Sequence, residues 1–236
     1  MGYGATMNEW PYHLLKPLSR KYRIIIFDNR GIGLSAGKDE NFSIELFADD
    51  TAALMDYLGI EKAHVLGYSM GSAIAQELAL NYPEKVSGLI LYSTFASSDE
   101  MKNPAMRSFV SRIAVGGVSS KEVLSSLTTE KWVRENPDHR IYMPKSVGSK
   151  DPGVIMKQCR AALRWRGSLN RISCIEKKVL FIAGSDDKII PPENSTHMAG
   201  MIKGSWVVQF KGGGHGLMYQ MPEKMAETIL CFLEIS

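Results

Sequence analysis

The apolar positions of this 236-residue chain fall into two kinds of run. Five short stretches are almost continuously apolar and rich in β-branched or aromatic residues: 23–28, 63–68, 87–93, 178–184 and 206–211. Unbroken runs of that length, rather than alternating ones, predict strands of a parallel sheet covered on both faces. Between them, apolar residues recur at helical spacing. One pattern opens at Ser43, carries Phe47, Ala48, Ala52, Leu54, Met55 and Leu58, and stops at Gly59. Others run over 70–81, ending before Pro83; from about Pro192 through Met198 and Met201; and from about Pro222 through Met225, Ile229, Phe232 and Leu233. Strands alternating with helices predict a doubly wound α/β sheet. Residues 95–170 break the rhythm, with helix-like pieces, prolines and clustered serines but no strand-like run. That is too long for a simple connection. It predicts a helical cap inserted into a core of 1–94 and 171–236. Such a cap lies over the carboxyl ends of the strands, where open α/β sheets bind ligands.

The chemistry collects at the ends of those strands. Gly67-Tyr68-Ser69-Met70-Gly71 follows one predicted strand and opens a helix with small residues in its first turns. A G-x-S-x-G match alone is weak; the strand–turn–helix setting makes it specific. Such a turn presents the Ser69 hydroxyl at the sheet edge, with glycines where a Cβ would collide. The helix N-terminus favours negative charge forming beside it. A serine hydroxyl needs a base before it is a good nucleophile. Of the five histidines, His13 and His139 fall in polar or irregular stretches, His64 begins a strand and His197 lies in a helical pattern. These four read as solvated or core residues. His215 differs: it lies in Gly212-Gly-Gly-His-Gly-Leu217, just after the last strand, on a loop able to turn back over the sheet edge. The base in turn needs a carboxylate. Asp186 and Asp187 both follow the strand at 178–184. Serine, aspartate, histidine is the chain order of a triad on this architecture.

Together these motifs resemble the α/β-hydrolase superfamily, nearest to its small esterase, enol-lactonase and cofactor-free haloperoxidase-like group. The resemblance covers nearly the whole chain. Asp28-Asn-Arg-Gly-Ile-Gly-Leu-Ser35 is similar to the family's D-x-R-G-x-G-x-S turn, 67–71 to its nucleophile motif, Gly184-Ser-Asp-Asp187 to its G-x-x-D, and Gly214-His-Gly216 to its histidine motif. The third match implies Asp187 rather than Asp186 as the acid. Residues 1–10, with Met1-Gly2 ahead of Tyr3 and a tryptophan at Trp10, resemble the loop after the family's third strand. That implies an oxyanion hole made by the main-chain N–H groups of Tyr3 and Met70. The family core has eight strands, with the third lying between the fourth and fifth. The five found here match the fourth to the eighth. The resemblance therefore implies three strands ahead of an internal Met1. Without them it implies either a gap beside 23–28 or direct pairing of 23–28 with 63–68.

The implied activity is that of a serine hydrolase cleaving a carboxylic ester or lactone of a small-molecule substrate through an acyl-enzyme on Ser69, with no cofactor and no metal. A serine nucleophile sets the chain apart from the aspartate-dependent dehalogenase and epoxide-hydrolase branches. Carbon–carbon hydrolases and perhydrolases share the triad, and some members of the fold are slow or non-catalytic ligand receptors. These are the alternatives. Met101, Met106, Met143, Met156 and Met218, with Phe95, Phe109, Trp132 and Trp165, either pack the cap itself or line a flexible apolar acyl pocket.

Composition narrows the field further. Hydrophobic residues at 44% and charged residues at 22% are those of a globular chain, which excludes disorder. The 28 basic and 25 acidic side chains are spread along the length, without the basic stripe of a nucleic-acid binder. Cys159, Cys174 and Cys231 are odd in number and scattered, so they form neither a disulfide framework nor a zinc set. The 28–33 turn lacks the spacing of a dinucleotide fingerprint. No apolar run approaches the roughly 18 residues of a membrane span, and the first residues lack the basic-then-apolar start of a secretory signal. The expectation is a cytoplasmic protein that binds neither nucleic acid nor membrane, with homo-oligomerisation left open.

Overall fold

Four strands form the sheet in the computed structural model, which describes residues 1–38, 41–115, 120–138, 142 and 147–235. They are β1 (Ala63–Tyr68), β2 (Val86–Tyr92), β3 (Lys178–Gly184) and β4 (Trp206–Phe210), in the order β1-β2-β3-β4. All three pairings are parallel: Leu66 faces Ile90, Ile90 faces Leu180, and Leu180 faces Trp206. Nearly every residue of β2 and β3 is buried, whereas edge strand β4 is largely exposed or half-buried. The unbroken apolar runs therefore mark the central strands, as expected for positions covered on both faces.

Helices α1 (Tyr12–Ser19) and α2 (Ile44–Tyr57) precede the sheet, and α3 (Met70–Asn81) links β1 to β2. Ser43 caps α2 by accepting the Leu46 N–H at 3.0 Å. Helix α3 packs on β1, β2 and α2 and is buried from Met70 to Ala79, which explains its small residues. After β3 come α8 (Pro192–Ala199), then β4, α9 (Leu217–Gln220) and α10 (Pro222–Glu234). Helix α10 packs against α1, and α8 against β3 and β4. Between β2 and β3 the described chain is helical: α4 (Pro104–Val115), α5 (Ser120–Leu127), α6 (Glu130–Glu135) and α7 (Pro152–Arg164). His139 and Met143 lie outside the described residues, and Met101 is described by its backbone alone.

Side chains of α3 tie down both ends of this helical stretch. Gln76 Nε2 donates to Thr94 Oγ1 at 2.9 Å and to the Phe95 carbonyl at 3.0 Å, while its Oε1 accepts from Ser168 Oγ. Glu77 accepts from Trp165 Nε1 at 2.7 Å and is paired with Arg171 at 2.6 Å. Both side chains are buried, and a buried polar group of this kind is stable only when satisfied.

One expectation needs correction. Residues 23–28, predicted as a strand, belong to no ladder. An apolar cavity of about 730 Å3 separates them from the free edge of β1, lined by Ile24 and Ile26 on one side and by Val65 and Leu66 on the other. Ladder hydrogen bonds form only at a spacing of about 4.8 Å, so a segment held across a cavity is not a strand, however strong its sequence signal. Of the two outcomes foreseen for this edge, the structure shows the gap. His13 lies on helix α1 and pairs with Glu223 at 3.2 Å at the surface, as a solvated residue. Among the described residues no helix is long and apolar enough to cross a membrane.

Candidate active site

Strand β1 ends at Tyr68, and the next residue, Ser69, has φ 53° and ψ −120°. This left-handed conformation is costly for any residue but glycine, and it persists only where the surroundings impose it. The imposing elements are β1 and α3, which cross so closely that a Cβ on Gly67 would fall 2.3 Å from the Gly71 carbonyl oxygen. A backbone bond from Ser69 N–H to the Tyr92 carbonyl, 3.0 Å, completes the turn. The hydroxyl thus projects from the carboxyl end of the sheet, beside the N-terminus of the 12-residue helix α3.

The loop after β4 brings His215 to the same edge. Its Nε2 lies 3.0 Å from Ser69 Oγ and its Nδ1 lies 2.8 Å from Asp187 Oδ2. Asp187 follows β3, and its other oxygen accepts the Ile189 and Ile190 N–H groups, each at 2.9 Å. An ionised carboxylate only accepts, so Nδ1 carries the proton and Nε2 is left to accept from the serine hydroxyl. All three residues are buried: Ser69 is 6% exposed, Asp187 5% and His215 3%. Asp186 instead accepts from Ser185 Oγ at 2.8 Å on the exposed side of the turn and does not reach the imidazole.

The histidine loop is held on several sides. The Tyr92 hydroxyl, at the end of β2, donates to the His215 carbonyl at 2.5 Å and accepts the Met218 N–H at 3.2 Å. The Tyr68 ring stacks on Tyr92 at 4.7 Å between centroids and meets the His215 ring at 5.1 Å, tilted by 41°. Gly216 N–H donates to the Leu127 carbonyl, at the end of α5. The close approach of this loop to β3 demands glycine at 184, where a Cβ would lie 2.3 Å from the Gly213 carbonyl. Burial holds the Tyr68 and Tyr92 phenols well above their ordinary range, so both stay protonated and act through hydrogen bonds and stacking.

The N-terminal loop completes the constellation. A Cβ on Gly2 would lie 3.2 Å from Ser69 Cβ, so this loop runs directly over the candidate nucleophile. Neither the Tyr3 nor the Met70 main-chain N–H donates to a protein acceptor among the described residues. Those two groups are the ones implied as oxyanion donors. The loop is fixed by side chains from elsewhere: Asp28 accepts the Met7 N–H at 2.7 Å, Glu9 accepts the Thr6 N–H at 2.9 Å and pairs with Lys150 at 2.6 Å, and Gln158 on α7 accepts the Gly4 N–H at 3.0 Å. The conspicuous 28–35 turn is therefore a support. Asp28 also accepts the Leu34 N–H at 3.1 Å, and Arg30 pairs with Asp50. Among the described residues no three His, Cys, Asp or Glu side chains group as a metal site requires.

Comparison with known proteins agrees with this geometry. Residues 1–113 match the family model described as the alpha/beta hydrolase fold. A thermophilic esterase from Thermogutta terrifontis superposes with a TM-score of 0.84 and 26% identity, covering 99% of this chain and 87% of the esterase. These matches support the α/β-hydrolase superfamily for this chain. Other proteins are similar over comparable lengths. The candidate carbamate hydrolase RutD of Caulobacter vibrioides is 27% identical over 99% of this chain and 88% of its own. The candidate non-heme bromoperoxidase BpoC of Mycobacterium tuberculosis is 29% identical over 98% of this chain and 90% of its own.

Sequence reasoning places Ser69, Asp187, His215, Tyr3 and Met70 at one edge, and the structure brings all five together there. It misses Tyr92, Tyr68 and Gln158. The two tyrosines lie in apolar strand runs and read as core; Gln158 is one polar residue within an amphipathic helix.

Proposed function

We propose that the protein is a serine hydrolase that cleaves a carboxylic ester or lactone by acyl transfer to water. The observation that carries this reading is the buried relay from Ser69 Oγ through His215 to Asp187, with both links within hydrogen-bond length. His215 Nε2 takes the hydroxyl proton as Ser69 Oγ attacks the carbonyl carbon. The developing oxyanion is bound by the Tyr3 and Met70 N–H groups, which have no competing acceptor. His215 then gives its proton to the departing alkoxide oxygen, leaving an acyl-Ser69 ester. Water enters, His215 takes one of its protons, and the second tetrahedral intermediate collapses to the free acid and the serine. Asp187 holds the imidazole in the required tautomer and stabilises its charged form throughout. Residues 95–170 act as the cap over the site, with the Leu127 carbonyl, Lys150 and Gln158 among its contacts to the surrounding loops.

The esterase relative supports an ester substrate. The RutD relative makes a carbamate the second substrate class to assay, since the same relay serves both carbonyls. The test is turnover of short-chain aryl esters and an aryl carbamate, together with fluorophosphonate labelling. The wild type is expected to hydrolyse an ester and to be labelled at Ser69. Ser69→Ala is expected to lose labelling and at least 10³-fold in rate, on the order of what loss of a triad member removes, while its circular dichroism stays that of the wild type. A folded Ser69→Ala protein with undiminished turnover rules the mechanism out.

A further inference from the structure

Glu9 sits where three parts of the molecule meet. It is 3% exposed, and one of its oxygens, Oε1, accepts the Thr6 N–H at 2.9 Å and the Thr6 hydroxyl at 3.2 Å. The same oxygen lies 2.6 Å from the ammonium of Lys150, which belongs to the helical stretch between β2 and β3. The Glu9 carbonyl accepts from Tyr219 Oη at 3.0 Å, on the short helix that follows the histidine loop. Thr6 directly follows the turn that carries Tyr3, closed by the Ala5 N–H on the Gly2 carbonyl at 3.3 Å. Whatever holds Thr6 therefore steadies the peptide whose N–H is proposed to bind the oxyanion. The backbone beside Lys150 is fixed as well. Gly33 and Ser149 exchange two main-chain hydrogen bonds, at 2.9 and 2.8 Å. The two segments approach so closely that a Cβ on Gly148 would lie 2.4 Å from the Gly33 carbonyl. Lys150 thus reaches Glu9 from a set position. The exposed pair Lys131–Glu135, 3.9 Å apart, differs: both side chains are in water, where such pairs contribute little.

We infer that Lys150 is a positioning residue for the oxyanion hole, acting from the cap through Glu9. A carboxylate taken out of water is tolerated when a cation and hydrogen-bond donors meet it, and removing one partner leaves buried charge uncompensated. With the ammonium in place, Glu9 stays on Thr6, and the segment from Gly2 to Thr6 keeps its place over Ser69. With it removed, the carboxylate gains by turning toward water, and Thr6 is released. Preorganised donors act on charge that develops only in the transition state, so a displaced donor lowers kcat and leaves KM nearly unchanged. This inference rests on the serine-hydrolase reading and adds a residue of the cap to its machinery.

The test measures kcat and KM for a short-chain aryl ester per active site titrated with fluorophosphonate, so that unfolded protein drops out. The Ki of an arylboronic acid is measured alongside, because its tetrahedral adduct on the serine places an oxygen where the oxyanion forms. Lys150→Met is expected to lower kcat about tenfold, a fraction of the loss of about 10²–10³-fold that follows removal of a whole oxyanion donor. KM is expected to stay within about twofold, and the boronate Ki to rise by a factor similar to the fall in kcat. Lys150→Arg keeps the charge and is expected to recover most of the rate. The double variant Glu9→Gln/Lys150→Met is expected to be faster than Lys150→Met alone, because no charge is left stranded. Lys131→Met is expected to match the wild type. If Lys150→Met does not fold, Glu9→Gln decides: its amide oxygen still accepts the Thr6 N–H while the ion pair is gone, and kcat per site is expected to fall several-fold. Wild-type kcat per site and wild-type Ki in Lys150→Met, or in Glu9→Gln where that variant decides, overturn this inference alone. A loss in Lys150→Met that neither the arginine nor the second substitution relieves overturns it too. A wild type that hydrolyses no ester and resists fluorophosphonate overturns the hydrolase reading and this one with it.

Discussion

Replacing Tyr92 with phenylalanine removes one oxygen atom and tests how the base is held. The hydroxyl donates to the His215 carbonyl at 2.5 Å and accepts the Met218 N–H at 3.2 Å, both in buried surroundings. Without it, a carbonyl and an amide lose their partner. At about 1–3 kcal/mol for each buried group left unsatisfied, the loss is about 2–4 kcal/mol, allowing for partial relaxation. That is a large fraction of a total stability of about 5–15 kcal/mol, and it lowers the melting temperature by about 5–15 °C for a chain of this size. The ring is retained, so its stacking on Tyr68 is unchanged. The second effect is kinetic. The carbonyl and amide flank the turn that aims the imidazole, and a drift of about 1 Å at a reacting group costs up to 10²-fold in rate. We expect kcat for an aryl ester to fall at least tenfold with KM little changed. Thermal melts by circular dichroism and steady-state kinetics measure the two effects. Tyr82→Phe is the control: its hydroxyl donates to Asp49 at 2.8 Å on the surface, and its loss is expected to shift stability by about 0.5 kcal/mol or less. A Tyr92→Phe protein that melts with the wild type and matches its kcat refutes the idea that this hydroxyl holds the histidine loop.

Two further outcomes follow from buried polar groups. Glu77→Ala strips the partner from Trp165 Nε1 and from the Arg171 guanidinium; because Arg171 is 43% exposed and regains water, the expected loss is about 2–3 kcal/mol rather than the full value for a buried pair, read as a lower urea midpoint. Stability also depends on alkali. Tyr3, Tyr68, Tyr92 and Tyr219 are all raised above the ordinary tyrosine value of 10.0 by burial. The folded chain therefore keeps these protons after the unfolded chain has released them. Their contribution is complete below pH 10 and is lost as pH rises through and beyond it, at up to about 5 kcal/mol per pH unit if all four act together. Denaturant midpoints measured from pH 8 to 11.5 are expected to be flat in this respect up to about pH 9.5 and to fall steeply above it, with tyrosinate absorbance appearing together with unfolding.

What the sequence made legible follows from how each feature is encoded. The central strands β2 and β3 announce themselves because burial on both faces leaves almost no polar residue along them, and both lie within a residue of the expected positions. The run at 23–28 has the same composition, yet pairing depends on a neighbour, which a local pattern does not encode. The meeting of Ser69, Asp187 and His215 was legible because each lies in a short glycine-bearing turn at a strand end, where the backbone requirement leaves a trace in the sequence. Glycines at 67 and 184 are that trace: each marks two backbones in near contact. Tyr92 and Gln158 leave none. A hydroxyl bonded to a carbonyl 123 positions away looks, in sequence, like one more aromatic in a strand. Helix α1 is hard to read for a related reason: it is only eight residues long and carries Pro17 between its buried Leu14 and Leu18.

Polar contacts join the α5–α7 stretch to the loops around Ser69, among them Gly216 N–H to the Leu127 carbonyl, Gly4 N–H to Gln158 Oε1 and Lys150 to Glu9, and they bear on how such a stretch can be exchanged. Substituting this stretch wholesale from another member of the superfamily exchanges more than the shape of a pocket. A donor sequence must also bring an acceptor to each of those two amides and a cation to Glu9. Chimaeras are therefore expected to fail by losing rate rather than affinity, and a library that keeps 127, 150 and 158 fixed is expected to retain turnover while the positions between them vary.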